Sequence, residues 1–327
     1  MTTAEILERL PSCSALICGD ICLDRWCTYD LAAAEPSRET GIPRIGVISS
    51  EVTPGAGGTI ANNVAALGVA RAAVLGVIGD DGFGYELTQA LNARGISTDL
   101  LVRSSKFVTF TYTKLVNAST GEEDLPRVDF INTRPLPDAA ERQVLGYLRQ
   151  YADSFDVIFV SDQAETKQGG VVTAAVRSLL ADIAREKPDK VIIADSRIRV
   201  ERFRNVILKP NEQEAAAACI GLFGELDYRR LRGHTESRVL FVTKGSKGVV
   251  IVEDDSETLV PARKVENPVD ICGAGDSFSA GLGMALAVAG SPVDAARFAN
   301  LVASITIMKK GTGTASPAEV LEAARGW

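Results

Sequence analysis

Apolar residues fall into two patterns along this chain. From residue 136 onward, short and continuously apolar runs at 156–160, 190–194, 206–208 and 239–242 alternate with stretches of helical spacing at Asp138–Tyr151, 171–186 and a segment opening at Asn211. Strands apolar on both faces, separated by helices, predict a parallel sheet covered on both sides. Runs at 15–19 and 72–78 extend it upstream, with helices at 59–67 and 85–93 stopped by Gly68 and Gly95. Runs at 248–253 and 259–264 predict an antiparallel edge, and helices at 276–289, 293–309 and 317–325 close the chain. The second pattern is alternation. Over 107–116, Val108, Phe110 and Tyr112 fall on one side and Thr109, Thr111 and Thr113 on the other, the signature of a half-exposed antiparallel strand. With 42–52 and 127–131 it predicts a small separate sheet, while 25–40 reads as irregular. Residues 1–10 predict a short amphipathic helix ended by Pro11. The expectation is one α/β domain over 1–327, a doubly wound and mostly parallel sheet, with a small antiparallel lid from about 25–52 and 106–133.

Composition narrows the function. The 327 residues suffice for a large core, and no apolar run approaches a bilayer's thickness. The N-terminus carries Glu5 and Glu8 where a secretory signal has an apolar stretch, so a cytoplasmic protein is expected. A net charge of −7 argues against nucleic-acid binding and requires any anion site to be positive locally. Cys13, Cys18, Cys22, Cys27, Cys219 and Cys272 include no CxxC pair and read as small buried hydrophobes. The single histidine, His234, lies in a polar stretch that reads as a solvated loop, which disfavours histidine-dependent nucleophilic hydrolysis.

The stretch richest in chemistry runs from Val269 to Phe278. Gly273, Ala274 and Gly275 precede Asp276 and a long run of helix formers. A tight turn opening into a helix leaves backbone N–H groups without intrahelical partners, at the positive end of the dipole. That arrangement cradles an anion, and a carboxylate at its rim faces whatever the anion reacts with. The alternative is an ordinary capped helix. Ligands of doubly wound sheets sit beyond the carboxyl ends of the strands, which singles out Asp20, Asp24, Asp162, Asp195, Asn211 and residues 243–248. Neither GxGxxG nor GxxxxGK[ST] is present, which excludes a dinucleotide fingerprint and a P-loop.

Three features in order (Gly57-Gly58 with Asn62 and a Leu67-Gly68 close, Lys209-Pro-Asn-Glu-Gln-Glu214, and Gly273-Ala-Gly-Asp276) make the chain resemble the ribokinase-like, or PfkB, carbohydrate kinases. The resemblance runs from about Leu16 to the C-terminus. It is strongest to the heptose-phosphate kinase module of lipopolysaccharide-precursor synthesis, echoed in residues 19–25, 36–38, 127–130, 160–162 and 311–317. It implies a ribokinase-like fold and transfer of the ATP γ-phosphoryl to a hydroxyl of a sugar or sugar phosphate. Other sugar phosphates, ribose-like sugars and nucleosides are alternative acceptors, and a non-catalytic nucleotide- or sugar-binding regulator is an alternative of another class. Asp276 matches the general base, and Gly273, Ala274 and Gly275 the anion hole. Asp24, Gly57, Gly58 and Asn62 match the sugar site, with Arg38, Lys114 and Arg127 as candidates for a substrate phosphate. Asn211 and Glu214 match the pair that organises Mg²⁺, indirectly, and the phosphates. Thr243, Gly245, Gly248 and Asn300 match the nucleotide site, and Asp270 and Ser316 a monovalent cation site such as K⁺. Ile271-Cys272 departs from the pair of small polar residues usual there, and residues 162–169 lack the heptose kinases' Asp-Tyr-x-Lys-Gly run. The lid's apolar face predicts a homodimer.

Overall fold

The structure is a computed structural model and describes every residue except Ala34, Gly326 and Trp327. Those three fall within the expected domain, Ala34 also within the expected lid, and lie outside the described residues. Nine strands form the main sheet: β1 (Ser14–Gly19), β4 (Arg71–Gly79), β5 (Ser97–Ser104), β8 (Val157–Asp162), β9 (Val191–Ser196), β10 (Ile207–Leu208), β11 (Leu240–Thr243), β12 (Val249–Val252) and β13 (Glu257–Val260). Their order is β13-β12-β11-β10-β9-β8-β1-β4-β5. Every pairing from β11 to β5 is parallel, and β12 and β13 add an antiparallel edge. The expected mixed α/β architecture is therefore present.

Helices cover both faces because the strands are apolar on both. One core joins α1 (Thr3–Arg9), α2 (Gly57–Ala66), α3 (Gly82–Asn92), α8 (Ala274–Ala289), α9 (Pro292–Thr306) and α10 (Pro317–Ala324) to the sheet. The other packs α4 (Asp138–Tyr151), α5 (Ala174–Glu186), α6 (Glu212–Phe223) and α7 (Tyr228–Thr235) on the opposite face. Among the described residues no helix is long and apolar enough to cross a membrane.

The lid is a second sheet, ordered β3-β2-β6-β7, from β2 (Ile21–Asp30), β3 (Gly46–Ala56), β6 (Thr111–Asn117) and β7 (Val128–Phe130). Three local expectations fail here. Residues 25–30 are not irregular but the outer half of β2. Its charged residues masked the strand, since Arg25 lies over the Phe83 ring at 5.1 Å and pairs with Glu86. Over 107–116 the two sides do not sort into one buried and one exposed, since Phe110 is buried as well as the threonines. Thr109, Thr111 and Thr113 are buried while Val108 is exposed. The Thr109 hydroxyl accepts from the Gly79 amide and donates to Asp81, which makes burial cheap. β6 also runs parallel to β2, its antiparallel partner being β7. Elsewhere, β5 carries too many polar residues to stand out, and His234 belongs to α7 and not to a loop, its ring beside Arg204.

One joint positions the lid. β2 starts two residues after the start of the turn at Gly19. Gly19 has φ +129°, and a side chain there would strike the Ser161 carbonyl. Asp20 is buried and accepts from the amides of Gln163, Ala164 and Val171 at 2.8–2.9 Å.

Candidate functional site

The first turn of α8 opens at the carboxyl end of the sheet. Gly273 sits at its N-cap with φ +75°, and no side chain caps the helix. The Ala274 amide turns back to the Ile271 carbonyl at 3.2 Å. Among the described residues, the Gly273, Gly275 and Asp276 amides have no acceptor within the chain. The cradle expected of residues 273–275 is thus shifted, with the Ala274 N–H committed and the Asp276 N–H free. A side chain on Gly273 would meet Thr59 and Thr312 at 3.1–3.2 Å, so glycine lets this mouth close against α2 and the 311–314 loop.

Asp276 is half-buried on α8. Withdrawal from water raises its pKa from 3.8 to about 7, and the neighbouring Asp195 carboxylate pushes the same way while Lys209 opposes both. Asp24, on the cleft face of β2, is raised to about 6 by burial, against the pull of Lys114 and Arg127. A side chain on Gly55 would lie 2.5 Å from Asp24 Oδ1, so that glycine makes room for the carboxylate. Gly57 and Gly58 are glycine for packing: a Cβ would meet Ile21 at 2.7 Å or Pro54 at 2.6 Å. Asn62 is half-buried on α2, whereas its neighbour Asn63 is buried with its Oδ1 unpartnered.

The expected phosphate-binding cations divide. Lys114 pairs with Glu123 at 3.0 Å and lies over Trp26, and Arg127 grips Asp129 through two bonds of 2.7 Å while covering Tyr112. Both act electrostatically on Asp24. Arg38 is exposed in a turn of the segment that joins β2 to β3.

On the other side, Asn211 and Glu214 form a reciprocal capping box on α6. The Asn211 amide donates to Glu214 Oε2 at 2.8 Å, and the Glu214 amide donates to Asn211 Oδ1 at 2.9 Å. Glu214 Oε1 is left facing Arg197 at 3.9 Å, and burial raises the Glu214 pKa. Thr243 bridges to Asn211, and the Gly245–Lys247 turn follows it. Gly248, with φ +100°, abuts the end of β13 and is required by backbone shape. Asn300 is buried and donates to the Pro261 carbonyl at 3.0 Å, a packing contact. Asp270 accepts from the Cys272 and Gly311 amides at 2.9 and 3.1 Å, tying two loops together, while Ser316 caps α10. Among the described residues no cluster of three His, Cys, Asp or Glu side chains has metal-binding geometry. All six cysteines are free, and only Cys272, at the α8 mouth, is not fully buried.

Sequence reasoning passed over Lys209, buried and paired with Asp195 at 2.9 Å. It also missed Trp26, whose period-two register with Asp24 on β2 was the available signal. A cavity of about 890 Å³ runs from Trp26 and Thr28 to Asp270 and Thr312.

Comparison with known proteins gives consistent relatives. The chain is 30% identical over 325 residues to the bifunctional protein HldE of Pelobacter propionicus, and 31% identical over 317 residues to that of Geobacter metallireducens. These alignments cover 98% and 94% of this chain but 64% and 62% of the relatives, so the chain spans under two thirds of their length. Its fold is that of a ribokinase from Thermotoga maritima (22% identity, TM-score 0.69, 96% of this chain and 99% of that one). It is also that of phosphofructokinase-2 from Escherichia coli in complex with potassium (16% identity, TM-score 0.70, 96% and 98%). A family model for pfkB family carbohydrate kinases matches residues 22–319, and the chain belongs to that family of ATP-dependent phosphotransferases.

Proposed function

We propose that this chain transfers the γ-phosphoryl of Mg-ATP to a hydroxyl of a sugar phosphate, with a heptose 7-phosphate as the favoured acceptor. The observation that carries the proposal is the pairing of Asp276 and unpartnered amides at the α8 mouth with Asp24, which Lys114 and Arg127 flank across the cleft. Phosphoryl transfer demands positioning and charge stabilisation more than covalent chemistry. The amides of Gly273, Gly275 and Asp276 receive the developing charge on the transferring group. Asp276 takes the acceptor's proton, and its raised pKa suits a base working near neutrality. Asp24 orients acceptor hydroxyls, with Asn62 assisting. Lys114 and Arg127 supply the countercharge that a phosphate-bearing acceptor requires in a protein of net charge −7.

Mg²⁺ prefers carboxylate and amide oxygens together with water and substrate phosphates. Glu214 Oε1 and the Asn211 side chain offer such oxygens beside the cleft, so these residues fit a water-mediated hold on the ion. When bound, the ion neutralises phosphate charge. Residues 243–248 form the nucleotide side of the cleft, with Asn300 supporting from behind. Asp270 and Ser316 are the candidate ligands for a monovalent cation such as K⁺. The HldE similarity supports the heptose phosphate over other acceptors.

The whole chain acts as one kinase domain, with the lid over the acceptor. Ile42, Ile45, Val47, Ile48 and Ile131 are exposed on or beside the lid and suit pairing with a second copy. Coupled ADP release, measured over free and phosphorylated heptoses, hexoses, pentoses and nucleosides, tests the assignment. Preference for a phosphorylated heptose is expected. Equal turnover of free and phosphorylated sugars would refute the phosphate-site assignment, and sedimentation as a monomer at high concentration would refute the dimer.

A further inference from the structure

Lys209 has an ammonium that the family assignment leaves without a task. It follows β10, its own amide donating to the Ala194 carbonyl at 3.0 Å, and the side chain is 3% exposed. Three carboxylates act on it: Asp195 from β9, paired at 2.9 Å, Glu214 from α6 and Asp276 from α8. They raise its pKa despite burial, so it stays a cation. Ser279 on α8 donates to Asp195 at 3.5 Å and to the Gly275 carbonyl at 3.0 Å, which ties the pair to the helix carrying the cradle.

Structure alone is a poor reason for this pair. Removing two charges from water costs several kcal/mol per ion, and well-packed neutral residues often serve stability better. The decisive geometry is at Gly275. Among the described residues, and apart from its chain neighbours and its own helix backbone, a Cβ built there has Lys209 Nζ as its only neighbour within 4 Å, at 3.9 Å. An oxygen accepting from the Gly275 amide would therefore have open space and an ammonium beside it. An ammonium carries three N–H donors, and Asp195 lies on one side of this one.

We propose that Lys209 is a catalytic residue, its ammonium donating to the travelling phosphoryl group above Gly275, and that Asp195 is the positioning residue that holds it there. The inference rests on the kinase assignment above. In the transfer, the acceptor hydroxyl oxygen bonds to the γ-phosphorus as the bond from that phosphorus to the bridging oxygen breaks. The electron pair leaves with ADP, the hydroxyl proton passes to Asp276, and Lys209 keeps all its protons.

The test is steady-state kinetics on the full chain, with the acceptor that the wild type turns over best. Lys209→Met is expected to lower kcat by about 10²–10³-fold, as for loss of one oxyanion donor. ADP affinity by calorimetry is expected to stay within about threefold, which separates loss of chemistry from loss of binding. Because Lys209→Met strands a buried carboxylate, the double variant Lys209→Met/Asp195→Asn provides a neutral pair. It is expected to melt near the wild type yet remain as slow as the single variant. Recovery of kcat in the double variant would show a merely structural ion pair and overturn the proposal, as would near-normal kcat in Lys209→Met. Asp195→Asn alone leaves the ammonium but removes the partner that positions it, so kcat is expected to fall by about tenfold with acceptor KM and ADP affinity nearly unchanged, and Asp195→Glu to recover most of that loss. An unchanged kcat in Asp195→Asn would overturn the positioning role. No turnover of any acceptor by the wild type would overturn the kinase assignment and this proposal together, whereas an active wild type with unaffected variants overturns this proposal alone.

Discussion

The pH dependence of turnover probes the central carboxylate directly. A carboxyl at its ordinary value of 3.8 would be fully ionised throughout the neutral range, and kcat/KM would be flat there. Burial and Asp195 instead raise Asp276 to about 7. The sign is fixed by its role: a base must be anionic, so activity is retained above the pKa and lost as pH falls through it. With a pKa of about 7, roughly nine-tenths of Asp276 is ionised at pH 8 and one-tenth at pH 6, a fall of about tenfold in kcat/KM. Asp24, raised to about 6, adds a second proton below that point and steepens the slope. The assay is initial-rate kinetics from pH 5.5 to 9 with Mg-ATP saturating and ADP affinity followed in parallel. Asp276→Asn should remove the limb centred near pH 7, leaving only that of Asp24 near pH 6, together with nearly all turnover. Because the ionised carboxylate is held in an unfavourable place, the same variant should also melt about 2–5 °C higher at pH 8. Its advantage should vanish below the unfolded pKa, where both states bind the proton. A flat wild-type profile between pH 6 and 8, or an acid limb still centred near pH 7 in Asp276→Asn, would refute the assignment of Asp276 as the base.

Three further outcomes follow from the same structure. Gly55→Ala places a methyl 2.5 Å from Asp24 Oδ1, so acceptor KM should rise by about tenfold with ADP affinity spared; calorimetry with ADP separates the two. Glu214→Gln removes a charged oxygen beside the cleft while retaining the cap's shape, and the Mg²⁺ concentration giving half-maximal rate should rise several-fold in a metal titration. Arg199→Met leaves buried Asp162 without its 2.9 Å partner and strips contacts to the Ala164 and Thr166 carbonyls. Stability by urea unfolding should fall by about 3–5 kcal/mol, as when one half of a buried pair is removed.

The architecture was legible where residues obey one rule at a time. The strands β8, β9 and β11 are apolar on both faces, and α4 was bounded correctly because its spacing and flanking residues agree. The lid was harder to read because its strands serve two masters. Along β2, Asp24 and Trp26 face the cleft while Arg25 reaches Phe83 and Glu86, so no simple alternation of polar and apolar residues survives. Beside and on β6 the expected sorting by polarity fails because the buried Thr109 and Thr111 hydroxyls find partners that a sequence does not display. At the site, the glycine turn before Asp276 was visible, and so was the Asn211–Glu214 cap. Lys209 was in plain view within a quoted motif, but its meaning depends on Asp195 and Gly275, which only the folded sheet brings beside it. Gly248 and Asn300 show the converse: both matched a motif, and both have a sufficient packing reason in the fold.

The joint at Gly19 and Asp20 makes β2 a lever with a fixed fulcrum. Three amides clamp Asp20, so a tilt of the outer sheet about that point would move its residues in proportion to their distance from it. At about 3.3 Å per residue, Asp24 lies about 13 Å along the arm and Asp30 about 33 Å. A 10° swing would shift Asp24 by about 2 Å, enough to break or make a hydrogen bond, while the tip sweeps about 6 Å. A small tilt of the arm would therefore act as a vernier on the acceptor's grip, and anything that seized the outer tip would hold an advantage of about 2.5-fold over it.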